Sequence, residues 1–146
     1  MTEKMKIIDF LRENQLDAIF VQKDENCRYL SKFTGSDSYL LLTKEELYLL
    51  TDSRYTEQAR KEAADYTVVD YKGHLAEIVA KLAGEYHIKT MGVETVFSYQ
   101  MYLSFHEYMP NIEFRFSQID RLRQIKSEEE ISCIKEACRI SDAGFK

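Results

Sequence analysis

The chain of 146 residues has one proline, five glycines, three cysteines and no tryptophan. So little Pro and Gly excludes collagen-like and low-complexity classes, and so few Cys exclude a disulfide scaffold. No run of about 18 apolar residues occurs, so no membrane-spanning helix is expected. The opening segment, MTEKMKIIDF, carries charge from its third residue and lacks the apolar stretch of a secretory signal. A cytoplasmic location is therefore expected. Positive charge is also in short supply: 20 Lys+Arg against 25 Asp+Glu leave a formal net charge of -5. Without a basic field, neither nucleic acid nor a membrane surface is an expected partner. What is present is 45% hydrophobic and 12% aromatic residues, suited to one folded domain with a sizeable core.

The cysteines, Cys27, Cys133 and Cys138, show no C-x-x-C spacing. Cys133 and Cys138 fall on an expected helix and point about 140° apart, which suits neither a shared metal nor a bridge. All three are expected as small packing residues in a reducing compartment.

Two periodicities alternate along the chain. Met5, Ile8 and Leu11 fall at helical spacing, followed by the short apolar strand Ala18 to Val21. Asp24 to Ser31 reads as a short helix with Asp24 as its N-cap, and Phe33 to Asp37 as a turn. The apolar runs Tyr39–Leu42 and Leu47–Leu50, separated by Thr43 to Glu46, predict a β-hairpin. Asp52-Ser53 then caps a helix with Tyr55, Ala59 and Ala63 on one face and a Glu57–Lys61 pair on another. Tyr66 to Tyr71 reads as a strand, and Leu75, Ile78, Val79, Leu82 and Tyr86 as a helical stripe. Thr90–Val93 and Ile112–Phe116 are further strands, flanking a helix from Tyr99 to Met109 that ends before Pro110. Strands alternating with helices, plus a hairpin, predict a three-layer α/β fold with a mixed β-sheet flanked by helices. Ser127-Glu128-Glu129-Glu130 is a capping box opening a last helix, with Ile131, Ile134, Cys138 and Phe145 near one face, that runs to Lys146. An isolated helix of this length is marginal and needs a partner surface.

Complete catalytic motifs are missing. His74, His87 and His106 lack metal-ligand spacing and read as surface or rim residues. No nucleophile elbow, P-loop or G-x-G-x-x-G occurs. Asp52, Asp70 and Glu94 each sit at the carboxyl end of an expected strand, where α/β sheets place ligands. Were those strands parallel neighbours, the three could hold Mg²⁺ in a hydrolase; otherwise Asp52 caps a helix and the others are turn residues. The aromatic run Phe97, Tyr99, Tyr102, Phe105 and Tyr108 has the spacing of core and rim packing. Arg121, Arg123 and Lys126 read as a polar hinge with paired charges.

Three segments carry a resemblance. Asn26 to Leu42 (NCRYLSKFTGSDSYLLL), Leu49 to Ala59 (LLTDSRYTEQA) and Asp120 to Ala137 (DRLRQIKSEEEISCIKEA) resemble the N-terminal half of the Xaa-Pro peptidases, the aminopeptidase P and prolidase relatives of creatinase. Lys32 departs from the pattern, since such proteins usually have Gly before the Phe of F-T-G. The resemblance implies a creatinase-type N-terminal domain over 1–125. Residues 126–146 would then be the joint and the first helix of a pita-bread catalytic domain lying beyond this chain. That domain would bind two divalent metals, Mn²⁺ or Co²⁺; none of its ligand motifs matches a position here, so no cofactor is expected in this chain.

The family also implies a homodimer in which a loop of this domain narrows the mouth of the partner subunit's active site. The matching positions are Phe33 to Ser38, Arg54 and Tyr55. Arg54 is the expected anchor for a peptide carboxylate, Asp37 a contact for a peptide amine or an ordered water, and Tyr55 and Phe33 further residues at the entrance. The alternative for Arg54 is pairing with Asp52 or Glu57, and for Phe33 packing. The expected function is thus a non-catalytic assembly and gating domain of an enzyme that hydrolyses X-Pro bonds. The competing readings are a free-standing interaction module of the same fold and the Mg²⁺-dependent hydrolase of Asp52, Asp70 and Glu94.

Overall fold

The computed structural model describes residues 2–145. The elements run α1 (Glu3–Glu13), β1 (Ala18–Val21), α2 (Asp24–Ser31), β2 (Tyr39–Thr43), β3 (Leu47–Thr51), α3 (Thr56–Glu62), β4 (Thr67–Asp70), α4 (Leu75–Glu85), β5 (Thr90–Val93), α5 (Tyr99–Tyr108), β6 (Glu113–Phe116), a 3-10 helix (Ile119–Arg123) and α6 (Glu128–Gly144). Six strands form one sheet in the order β4-β3-β2-β1-β5-β6. β2 is antiparallel to both its neighbours, while the β3–β4, β1–β5 and β5–β6 pairs are parallel. This is the mixed sheet that the hairpin and the strand–helix alternation predict.

Both faces of the sheet are covered, which explains why the central strands read as unbroken apolar runs. On one face Ile19, Val21, Leu40, Leu42 and Leu49 meet Ile7, Leu11, Leu30 and Ala59 from α1, α2 and α3. On the other, Phe20, Leu41 and Leu50 meet Val79, Leu82 and Phe105 from α4 and α5. Alternation along each strand thus divides one apolar run between two cores. Phe97 and Phe105 join the second core, edge to face at 5.3 Å, with Tyr99 and Tyr108 left exposed.

Several local expectations are corrected. The buried face of α1 is Ile7, Phe10 and Leu11, whereas Met5 is 51% exposed and Ile8 only half-buried. Both triplets fit helical periodicity, and the roll of the helix on the sheet selects between them. Asp24 is the first helical residue of α2; its N-cap is Lys23, which makes no side-chain capping bond. Asp52 likewise caps a turn, accepting from the Arg54 N–H at 2.9 Å, ahead of a helix whose N-cap is Tyr55. Cys27 is buried as expected, but Cys133 and Cys138 are exposed.

That exposure belongs to α6 as a whole. Its capping box forms, with the Ser127 hydroxyl accepting from Glu130 N–H and the Glu130 carboxylate accepting from Ser127 N–H. Yet no α6 residue is buried, and Ile134, Ile140 and Phe145 face solvent. The expected bounds 1–125 and 126–146, and the helix drawn to Lys146, include Met1 and Lys146, which lie outside the described residues.

Candidate functional site

The hairpin brings together the residues expected at the entrance. Tyr39 pairs with Leu50, so the loop entering β2 and the turn leaving β3 lie side by side at one edge of the sheet. Arg54 is the centre of this cluster. Its Nη2 and Nε contact the two Asp52 carboxylate oxygens at 2.7 and 3.1 Å, and Nη2 lies 3.7 Å from Asp37. The guanidinium sits 5.2 Å from the centroid of the Tyr55 ring. This forked pair holds the Asp52 carboxyl below its usual range, through the hydrogen bond from Arg54, and raises the guanidinium further still. Arg54 and Asp37 remain about two-thirds open to solvent, at 68% and 66%. A planar donor is therefore held in one orientation at an open surface, the preorganisation that carboxylate recognition needs.

The adjoining loop is built to be stiff. Phe33 is 1% exposed and meets Tyr55 edge to face at 6.3 Å, so it contributes packing beneath the Arg54 cluster. Gly35 lies against that ring: a Cβ there would fall 2.3 Å from Phe33 Cζ, so only glycine permits this approach. The Thr34 N–H donates to Glu62 at 2.7 Å, and Gln58 Nε2 donates to both Thr34 and Glu62 at 3.2 Å. Lys32 ends α2 in the left-handed region at φ 68, the conformation in which glycine is favoured at a helix end. Thr34, Gln58 and Glu62 were not legible as loop anchors, because they lie 24 and 28 residues apart in sequence.

The carboxylate triad does not assemble. Asp52 and Asp70 end neighbouring parallel strands, with Thr51 opposite Asp70. Glu94 ends β5, three strand spacings from β3, or roughly 14 Å. It is 3% exposed, and its carboxylate accepts from the Gln22 and Lys23 N–H groups and from Asn26. Asp70 is engaged by the Lys72 N–H at 2.9 Å. Among the described residues no three His, Cys, Asp or Glu side chains are grouped to hold a metal, so the residues present do not fit the Mg²⁺ site considered above. His74, His87 and His106 are each exposed. Nor, among the described residues, is any helix long and apolar enough to cross a membrane.

Comparison with known proteins adds a family to this geometry. The chain is 33% identical, over 97% of its length, to a Xaa-Pro dipeptidase of Pyrococcus horikoshii, and covers 40% of that protein. It is 31% identical to the uncharacterized peptidase YqhT of Bacillus subtilis, over 90% of this chain and 38% of that one. It thus spans about two fifths of the length of these curated relatives. Among solved structures, a Xaa-Pro dipeptidase from Bacillus anthracis superposes with a TM-score of 0.87 at 34% identity, covering 97% of this chain and 42% of that one. An N-terminal domain of the cytoplasmic peptidase PepQ from Mycobacterium tuberculosis matches with a TM-score of 0.71 at 27% identity, over 80% of this chain and 92% of that one. The family model of the creatinase/prolidase N-terminal domain matches residues 5–125, the stretch that builds the whole sheet and its flanking helices, and the chain belongs to that family.

Proposed function

We propose that this chain is the non-catalytic N-terminal domain of a Xaa-Pro dipeptidase or aminopeptidase, serving assembly and gating. The observation that carries the reading is a mismatch of coverage: the chain aligns nearly end to end with relatives that are more than twice its length. The bare helix α6, capped at its start and buried nowhere, supports it, since a helix of 17 residues gains its stability from a packing partner. In this reading the partner is a downstream catalytic domain, where two divalent ions (Mn²⁺ or Co²⁺) supply the Lewis-acid chemistry for cleaving the X-Pro bond.

The contribution of this chain is positional. In a homodimer, the Phe33 to Ser38 loop and the Arg54 turn stand at the mouth of the partner subunit's active site. Arg54 offers its remaining donors to a peptide carboxylate, while Asp52 and Tyr55 hold it in place. Asp37 faces the amine end. Anchoring of the loop by Glu62 and Gln58 makes this a fixed wall of the entrance. A cytoplasmic setting belongs to the same reading.

Two experiments test it. Sequencing downstream of codon 146 should find an open frame encoding two Asp, one His and two Glu in pita-bread spacing. A stop codon after Lys146 would overturn the peptidase reading in favour of a free-standing interaction module. In the full-length protein, Arg54→Ala should lower kcat/KM for X-Pro substrates about ten-fold, the loss of one charged hydrogen bond. Unchanged kinetics would remove Arg54 from the entrance.

A further inference from the structure

Asn26 is 1% exposed and stands between two carboxylates. The two hydrogens of its side-chain amide go to different partners, Glu94 Oε2 at 2.5 Å and Asp120 Oδ1 at 2.7 Å. Those partners lie 68 and 94 residues away in sequence. Its Oδ1 has no protein partner, so the donors alone orient the amide, and a flip would turn an oxygen toward two carboxylates. Glu94 is itself anchored by the Gln22 and Lys23 backbone N–H groups. Asp120 also receives Lys23 Nζ at 3.2 Å and lies 3.8 Å from Arg123.

The location gives this cluster its meaning. Asp120 belongs to the 3-10 helix that carries the chain from the sheet to α6. The same segment is also held by Ile119, buried in the first core, and by the Tyr29 hydroxyl, which donates to the Leu122 carbonyl at 3.0 Å. No residue of α6 is buried, and residues 124–127 join it to this segment.

We propose that Asn26 is the positioning residue of the joint: its amide clamps Asp120 to the buried Glu94 and thereby fixes the angle at which α6 departs. The clamp is a property of this chain by itself. Only its consequence for a downstream domain rests on the function proposed above, so the test uses the 146-residue chain alone.

Two nitroxide labels report the angle, one on Cys133 of α6 and one at position 81 of α4 after Lys81→Cys, with Cys138→Ser to keep α6 singly labelled. The native clamp should yield one narrow distance distribution. Asp120→Ala removes the exposed end of the clamp without touching the core, and Asn26→Asp replaces both donors by a third carboxylate. Each should broaden the distribution, and amide exchange over residues 121–124 should accelerate at least about ten-fold while β1, β2 and β3 keep their rates. An unchanged distribution in Asp120→Ala overturns the proposal. So does acceleration of the β1–β3 amides to the same degree, which would mark a general loss of stability. If Asn26→Asp fails to fold, Asp120→Ala decides alone.

Discussion

Lys32 illustrates how one residue carries a local conflict. It ends α2 at φ 68, a conformation that costs an L-residue about 1–2 kcal/mol. Its compensation is slight: Nζ reaches the Tyr29 carbonyl at 3.0 Å and rides 5.2 Å from the Tyr29 ring centroid, all at the surface. Glycine removes the strain and costs about 0.5–1 kcal/mol in unfolded-chain entropy. Lys32→Gly should therefore stabilise the chain by roughly 0.5–1 kcal/mol, read as a higher urea midpoint with an unchanged slope. Arg54 shows the converse. The T-D-S-R-Y motif singled it out, and of the alternatives weighed for it the pairing with Asp52 forms, with the guanidinium still open to solvent. Asn26 lay in plain view in the N-C-R-Y-L segment, yet nothing local marked it. Its partners come from β5 and the 3-10 helix, and no spacing rule links positions so far apart.

Among the elements, the strands and the hairpin were the most legible. β5 spans the expected Thr90–Val93, and β2 and β3 extend the two apolar runs by one residue each. A short apolar run bounded by polar residues leaves few alternatives. Helix faces were less legible: the expected α1 face Met5-Ile8-Leu11 gave way to Ile7-Phe10-Leu11, because docking on the sheet sets the roll of the helix. The 3-10 joint carries a pH-sensitive carboxylate. The hydrogen bond from Asn26, aided by Lys23 and Arg123, holds the Asp120 carboxyl below its ordinary value, with Glu94 as the acidic neighbour across Asn26. A carboxyl with a depressed folded pKa contributes stability above its unfolded pKa, about 3.9, and loses it as pH falls through the folded value. The joint should thus loosen below about pH 4. Amide exchange at 121–124 should rise there, and Asp120→Asn should flatten that response.

At the scale of the whole molecule, the sheet with its five covering helices is complete without α6. Ending the chain after Lys126 removes no buried residue among those described, so unfolding free energy should fall by less than about 1 kcal/mol. A larger loss in urea unfolding would mean that α6 packs on the body in solution. The fully covered sheet also explains why the carboxylate triad looked plausible and failed. All three residues do end parallel strands at one edge, but β2 and β1 intervene between β3 and β5. Strand order is decided by how the sheet closes on its two cores, which no single segment encodes.

The sequence by itself determined what depends on near neighbours: strand and helix identity, the Ser127 capping box and the family motifs. Those features follow from alternation, helical period and turn chemistry within a few residues. Only the tertiary structure decided the strand order, the roll of α1, the burial of Glu94 and its bond to Asn26, and the exposure of α6. Each of these is settled by burying two apolar faces at once, a condition imposed on the chain as a whole.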